Sequence, residues 1–213
     1  MKGWRKCKFK GCGKQFEKLR PLQSTCSVQC ALNHSKDLKA AKEKKDWRKK
    51  KAELKEQIIS LSAYKKLLQL VINKIAREID FCQPCISCGN PKPKKKNAGH
   101  YHSVGANPSV RFNLMNIYLQ CEHCNSYLSG NLINYSKNLQ ETFGVDLFEY
   151  INFGIIAEYP VFKPSKEEVK EAIKRAKEFN KTLTNERLSK DDRIALRKAA
   201  NKFIGLYQQK SPE

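Results

Sequence analysis

Cys85-Ile-Ser-Cys88-Gly89, then Ala98-Gly99-His100-Tyr101-His102, then Asn116-Ile117, then Cys121-Glu122-His123-Cys124-Asn125 form the stretch, ending near Gly130, around which this chain is organised. Two Cys-x2-Cys pairs bracket histidines and asparagines. Four thiolates at such spacing close one tetrahedral zinc site, and a site with four protein ligands has no open position for chemistry. Cys85, Cys88, Cys121 and Cys124 are therefore read as a structural zinc site. Cys82 lies three residues upstream as a competing ligand, but Gly89 completes the knuckle turn only for the Cys85–Cys88 pair. The polar residues between the pairs exceed what a tether needs.

Outward from this stretch the chain is basic. Its 213 residues carry a formal net charge of +21, with 40% hydrophobic and 30% charged residues. Residues 1–80 hold net +14, residues 81–160 net +1 and residues 161–213 net +6. Such a balance attracts polyanions through phosphate contacts, giving affinity without sequence specificity. A small apolar core of this kind is usually stapled. There are nine cysteines, eight of them in close pairs. No apolar run reaches transmembrane length and the N-terminus lacks a signal-peptide pattern, so the pairs read as metal sites in a reducing cytoplasm rather than disulfides.

Upstream, Cys7-x4-Cys12-Gly13 reads as a second knuckle, and Cys26-x3-Cys30 sits where a helix starts near Ser24–Ser27. Knuckle plus helix start is the layout of a treble-clef-like finger, so Cys7, Cys12, Cys26 and Cys30 are expected to hold a second structural zinc. Residues 32–58 are rich in Ala, Lys, Glu and Leu, good helix formers, with little apolar stripe beyond Leu38, Trp47 and Leu54. This helix is either a solvated arm or a basic helix lying on DNA phosphates. Its sign favours the latter, through Lys44, Lys45, Arg48, Lys49, Lys50 and Lys51. Leu67, Leu68, Val71, Ile72, Ile75 and Ile79 predict an amphipathic core helix, with Ser62 as its N-cap.

In the central unit, Pro91 to Lys96 is a basic loop offering Lys94, Lys95 and Lys96 to DNA. Asn97–Tyr101 predicts a strand, and so do Arg111-Phe112 and Ile117–Leu119, with Asn113–Asn116 turning between them. A helix is expected to start at the Cys121–Cys124 knuckle, and Gly144 to break the helical run after it. Ser165-x-x-Glu168 and Ser189-x-x-Asp192 cap two further helices, over about 166–179 and 190–207. On the second, Leu196, Ala200, Phe203 and Tyr207 recur on one helical face, and both helices either fold back on the core or extend towards DNA. The predicted architecture is a small zinc-stabilised α+β protein in four segments: a finger (1–31), a helical arm (32–80), a central ββα-like unit (81–160) and a helical tail (161–213).

Hydrolysing a phosphodiester needs a base near neutral pKa and a divalent ion held by oxygen donors. His100, His102, Asn97, Asn116 and Asn125 supply those types within one unit. For each of them singly the plain alternative is a histidine that only hydrogen-bonds near a zinc site, or an asparagine that only caps a turn. His123, inside the knuckle, is read as exposed or as part of a mixed Cys/His site.

The order Cys-x2-Cys, His, Asn-Ile, Cys-x2-Cys-Asn resembles the HNH endonucleases, the ββα-metal nucleases. More closely, Cys85-Ile-Ser-Cys-Gly, Ala98-Gly-His-Tyr, Arg111-Phe, Asn116-Ile and Cys121-x-x-Cys-Asn-x-x-x-Ser-Gly-Asn-Leu132 resemble the phage NinG family. That family includes a lambdoid recombination nuclease for branched DNA. The resemblance implies a DNA endonuclease acting on Holliday junctions or D-loops. His100 would be the general base. Asn116 would orient it or hold the hairpin. Asn125 would ligate a catalytic Mg²⁺ or Mn²⁺. Relatives often place an Asp three residues before the histidine, where this chain has Asn97. His102, on the same strand face as His100 by alternation, could stand in for that ligand. Arg111 would face DNA, and a junction enzyme is expected to dimerise. A non-catalytic zinc protein that binds DNA or RNA is the rival reading.

Overall fold

The structure, a computed structural model, describes residues 3–207. The outermost positions of the expected first and last segments, 1–2 and 208–213, lie outside the described residues. The chain divides into two compact units, Met1–Ile59 and Ser60–Glu213. The expected four segments reduce to these two. The amphipathic helix belongs with the central unit rather than with the arm, because its apolar face is buried there, and the C-terminal helices fold onto the same core.

In the first unit, β1 (Trp4–Lys6) and β2 (Gln15–Glu17) form an antiparallel hairpin around the Cys7–Cys12 knuckle. α1 (Val28–Ile58) follows, capped by the Ser27 side chain, which accepts from the Cys30 amide. Cys26 thus lies just before the helix and Cys30 in its first turn. α1 runs 31 residues, roughly 46 Å at 1.5 Å per residue, and buries none of them. Without an apolar stripe, nothing drives it onto a core.

In the second unit, α2 (Leu61–Ile79) is capped by Ser60, not Ser62, through the Ala63 amide. Tyr64, Leu68, Ile72, Ile75, Ala76 and Ile79 are buried, whereas Leu67 is exposed. Each fully buried aliphatic side chain contributes about 1.5–3 kcal/mol before entropy is counted. β3 (Lys96–His100) pairs antiparallel with β4 (Ile117–Cys121), with His100 opposite Ile117 and Lys96 opposite Cys121. Arg111-Phe112 is turn rather than strand, flanked by the 3-10 turns Pro108–Val110 and Leu114–Asn116. The single long connection leaves no third strand for it to pair with.

The helix expected at the Cys121–Cys124 knuckle is interrupted. A π-type turn, His123–Tyr127, gives way to left-handed backbone at Ser129, Gly130 and Asn131 before α3 (Leu132–Phe143) begins. Gly144, at positive φ, separates α3 from α4 (Val145–Glu149) as expected, and a further π-type turn leads into α5 (Ile155–Glu158). The central core gathers Ile86, Val110, Met115, Tyr118, Tyr135, Leu139, Phe143, Ile151 and Ile155.

α6 (Lys166–Thr182) starts with the full Ser165/Glu168 capping box and packs on α2. α7 (Lys190–Ile204) is capped by Ser189. Its buried face is Arg193, Arg197, Ala200 and Ile204, while Phe203 is 47% exposed. The expected face is rotated because two arginines point inward to a buried carboxylate. Tyr207 lies beyond the helix, accepting from the Phe112 amide at 3.1 Å and donating to the Ser109 carbonyl at 3.0 Å. Among the described residues no helix is long and apolar enough to cross a membrane.

Candidate functional site

The two cysteine quartets come together as expected. Cys7, Cys12, Cys26 and Cys30 form one group and Cys85, Cys88, Cys121 and Cys124 the other, with all sulfurs in each group within 4.8 Å of one another. A tetrahedron of Zn–S bonds near 2.3 Å has S···S edges of about 3.8 Å. The separations are 3.5 Å for Cys12–Cys26, 3.6 Å for Cys26–Cys30 and 3.8 Å for Cys88–Cys121, so both donor sets fit zinc. Thiolates also need donors around them. In the second quartet the Cys121 amide donates to Cys85 Sγ at 3.2 Å, the Cys124 amide to Cys121 Sγ at 3.4 Å, and Asn131 Nδ2 to Cys124 Sγ at 3.5 Å. Bound zinc would tie the loop after α2 to the end of β4 and supply cross-linking only. Cys82 is exposed and belongs to neither group.

His100 ends β3. Its Nε2–H donates to the Arg111 carbonyl at 2.9 Å, since a carbonyl only accepts. Nδ1 is thereby left as the basic nitrogen. Burial holds this imidazole below its ordinary pKa; the hydrogen bond to Arg111 opposes that, and the Arg111 charge reinforces it. The ring is thus neutral at neutral pH. The Arg111 guanidinium donates from Nε to Gln69 Oε1 at 3.3 Å, and Gln69 Nε2 donates to Asn73 Oδ1 at 2.8 Å. Gln69 and Asn73, two α2 residues to which the sequence assigns no role, therefore buttress the pair. Their amide side chains at spacing i, i+4 on this amphipathic helix were the available signal.

Asn116 is fully buried, and its amide clamps the loop. Oδ1 accepts from the His102 amide at 2.7 Å, and Nδ2 donates to the His102 carbonyl at 3.0 Å. Of its two expected roles, holding the hairpin is the one its hydrogen bonds perform. His102 lies past the end of β3, so strand alternation does not extend to it. Its Nε2 donates to the Ile151 carbonyl at 2.8 Å and its ring meets Tyr101 edge-on, which commits that nitrogen to packing.

Asn97 and Asn125 are half-buried. Asn97 pairs with Gln120 and shares a strand face with Gly99 and Tyr118, whose ring packs on Tyr135 and Phe143 of α3. His100 shares the other face with Ala98, on which Gln69 of α2 lies 3.3 Å from its Nε2. The fold therefore sends Asn97 and His100 to opposite faces. Among the described residues the only groups of three or more Cys, His, Asp or Glu placed to hold a metal are the two cysteine quartets. Of the donors expected for a catalytic Mg²⁺ or Mn²⁺, Asn97 therefore faces away from His100 and His102 Nε2 is already committed to Ile151.

The expected DNA contacts are mostly open to solvent. Lys44, Lys45, Arg48, Lys49, Lys50 and Lys51 are exposed on α1, as are Lys94 and Lys95 on the basic loop and Lys96 at the start of β3. Lys95 Nζ pairs with Glu122 at 2.9 Å. Arg111 is half-buried against Phe112.

Two zinc-ready quartets, a hairpin followed by a helix, and a basic helical arm define a class of small, cysteine-clustered, strongly basic proteins. The family model for the bacteriophage lambda NinG protein matches residues 2–186, and the chain belongs to the NinG family. Protein ninG of Escherichia phage lambda is 34% identical over 167 residues, covering 69% of this chain and 79% of the relative. Protein ninG of Salmonella phage P22 is 33% identical over 161 residues, covering 66% and 76%. Protein ninG of Escherichia phage 933W is 40% identical over 86 residues, covering 40% and 43%. No solved structure matches the fold.

Proposed function

We propose that the chain is a DNA endonuclease of HNH type acting on branched recombination intermediates such as Holliday junctions or D-loops. The observation that carries this reading is His100: a neutral imidazole, clamped through Nε2–H to the Arg111 carbonyl, with Nδ1 left as the basic nitrogen and the Arg111 charge acting on the ring. Nδ1 takes the proton from an attacking water. Arg111 attracts the phosphate and offsets charge developing on it. The zinc staple and the Asn116 clamp hold β3 and the His102 turn in place, so His100 is presented without reorganisation. The Mg²⁺ or Mn²⁺ implied by the HNH resemblance would lack Asn97 as a ligand beside His100, since that side chain lies on the opposite strand face. The basic arm and the Lys94–Lys96 loop supply phosphate contacts. Two copies acting together would cut two strands of a junction.

A second reading, a non-catalytic zinc protein that binds DNA or RNA, is favoured by one observation. Asn97 stands where the HNH resemblance calls for a carboxylate, and it lies on the face away from His100. Four-way junction DNA incubated with the wild type and with His100→Ala, in Mg²⁺ and in Mn²⁺, separates the two. Cleavage by the wild type and not by the variant is the expected result. Junction binding with no cleavage in any metal would sink the nuclease reading and leave the binding protein.

A further inference from the structure

His123 and Tyr127 sit one turn apart on the π-type turn that the second zinc quartet anchors. Their rings stack at 29° with centroids 6.0 Å apart. Neither ring is used by the core. His123 is exposed and Tyr127 is 73% exposed. The backbone beneath them is nonetheless firmly held. The Leu128 amide donates to the His123 carbonyl at 3.0 Å and the Gly130 amide to the Cys124 carbonyl at 2.8 Å, with zinc ligands Cys121 and Cys124 on the same segment. Leu128, next in the chain to Tyr127, is exposed as well.

This ring pair adjoins the basic loop. The Glu122 amide donates to the Lys95 carbonyl at 3.2 Å, and the Lys95 ammonium pairs with the Glu122 carboxylate, so Lys94–Lys96 lie directly beside the turn. Exposed aromatic rings on a rigid support next to a run of lysines are the chemistry of single-strand nucleic-acid binding, in which bases stack on the rings and cations track the phosphates. A linear duplex keeps its bases stacked on each other and offers this surface nothing but phosphates.

We propose that His123 and Tyr127 form a stacking platform for an unpaired base, with Lys94–Lys96 holding the adjoining phosphates. This rests on the reading that the protein binds DNA, and deepens it by naming the element that distinguishes a branch point from linear duplex. The platform is independent of His100 and requires no cleavage.

The test is binding of the full chain, without added divalent metal, to a fork carrying 2-aminopurine at the branch, to a single strand and to a linear duplex at matched salt. Tyr127→Ala should lose about 5- to 150-fold in affinity for the fork and the single strand, the span of one base–aromatic stack. It should keep wild-type affinity for the duplex. Tyr127→Trp should retain fork binding and quench 2-aminopurine. Zinc content matching the wild type excludes misfolding of either variant. Equal fork affinity and equal quenching in Tyr127→Ala overturn the platform while leaving the DNA reading intact. A wild type that binds none of the three DNAs overturns both.

Discussion

Arg197 donates from a guanidinium nitrogen to Asp80 Oδ2 at 2.7 Å, across 117 residues of chain, with neither side chain more than 2% exposed. The same carboxylate receives Arg193 at 3.1 Å and the Leu119 amide at 2.8 Å. Arg197 also donates to the carbonyls of Leu114 and Ile117 and lies 4.2 Å from the Tyr118 ring centroid. One buried ionic group thus fastens α7 to the end of α2 and to β4. The C-terminal helix completes the hairpin's support.

Removing one member leaves the others charged and buried. Asp80→Asn or Arg197→Ala should destabilise the protein by about 3–5 kcal/mol. Urea unfolding followed by circular dichroism measures this, and an effect below about 1 kcal/mol would mean the cluster is far better solvated than its burial indicates.

Metal content follows from the two quartets. The purified chain should carry two zinc ions. Cys7→Ser should lose one while the unfolding transition of the second unit is retained, since that site lies wholly within the first unit. Cys121→Ser should lose the other and weaken the β3–β4 hairpin. Elemental analysis together with thermal unfolding checks both.

The pH dependence has a definite sign. The folded pKa of His100 lies below the ordinary value of 6.5 because the ring is buried. Between the folded value and 6.5 the unfolded chain binds more protons, so this group's contribution to stability is full above 6.5 and declines as pH falls towards the folded value. The base form persists over the same window. Cleavage of junction DNA should therefore continue below pH 6.5 and fail only nearer the depressed pKa, and His100→Ala should flatten the matching stability slope. A rate profile centred at or above 6.5 would exclude His100 as the base.

Gly99 is required by its neighbour. A Cβ there would run into the Gln120 side chain. Gln120 Nε2 donates to Ser87 Oγ and to the Gly130 carbonyl, linking β4 to both zinc knuckles. Gly99→Ala should cost about 1–3 kcal/mol through displaced packing. Differential scanning calorimetry would register this as a lowered transition temperature, and an unchanged one would show that Gln120 has another place to go.

The arm should act through charge alone. Replacing Lys49, Lys50 and Lys51 by Glu should weaken binding to all DNAs alike. It should also flatten the salt dependence by about 0.9 in log–log slope for each phosphate that the arm no longer neutralises. Fluorescence anisotropy across a salt series gives both quantities, and a change confined to one DNA form would contradict a purely electrostatic arm.

The cysteine quartets, the length and polarity of α1, the break at Gly144 and the cap at Ser165 were legible in the residues themselves. Each depends on spacing, composition or backbone preference within a few residues, and local physics acts on those directly. The knuckles declared metal sites because thiol pairs beside a glycine have few other uses. What depended on distant partners was not legible. Arg193 and Arg197 look like the solvent face of a helix until Asp80 meets them. Gln69 looks like a surface residue of α2 until Arg111 and His100 reach it. The opposition of Asn97 and His100 is contained in strand alternation, yet only pairing with β4 and packing against α2 and α3 shows which face looks where. Sequence determined the long helices and the two cysteine quartets. Tertiary structure decided which polar groups are buried together, because the cost of burying a charge is offset only by a partner that the fold brings from far along the chain.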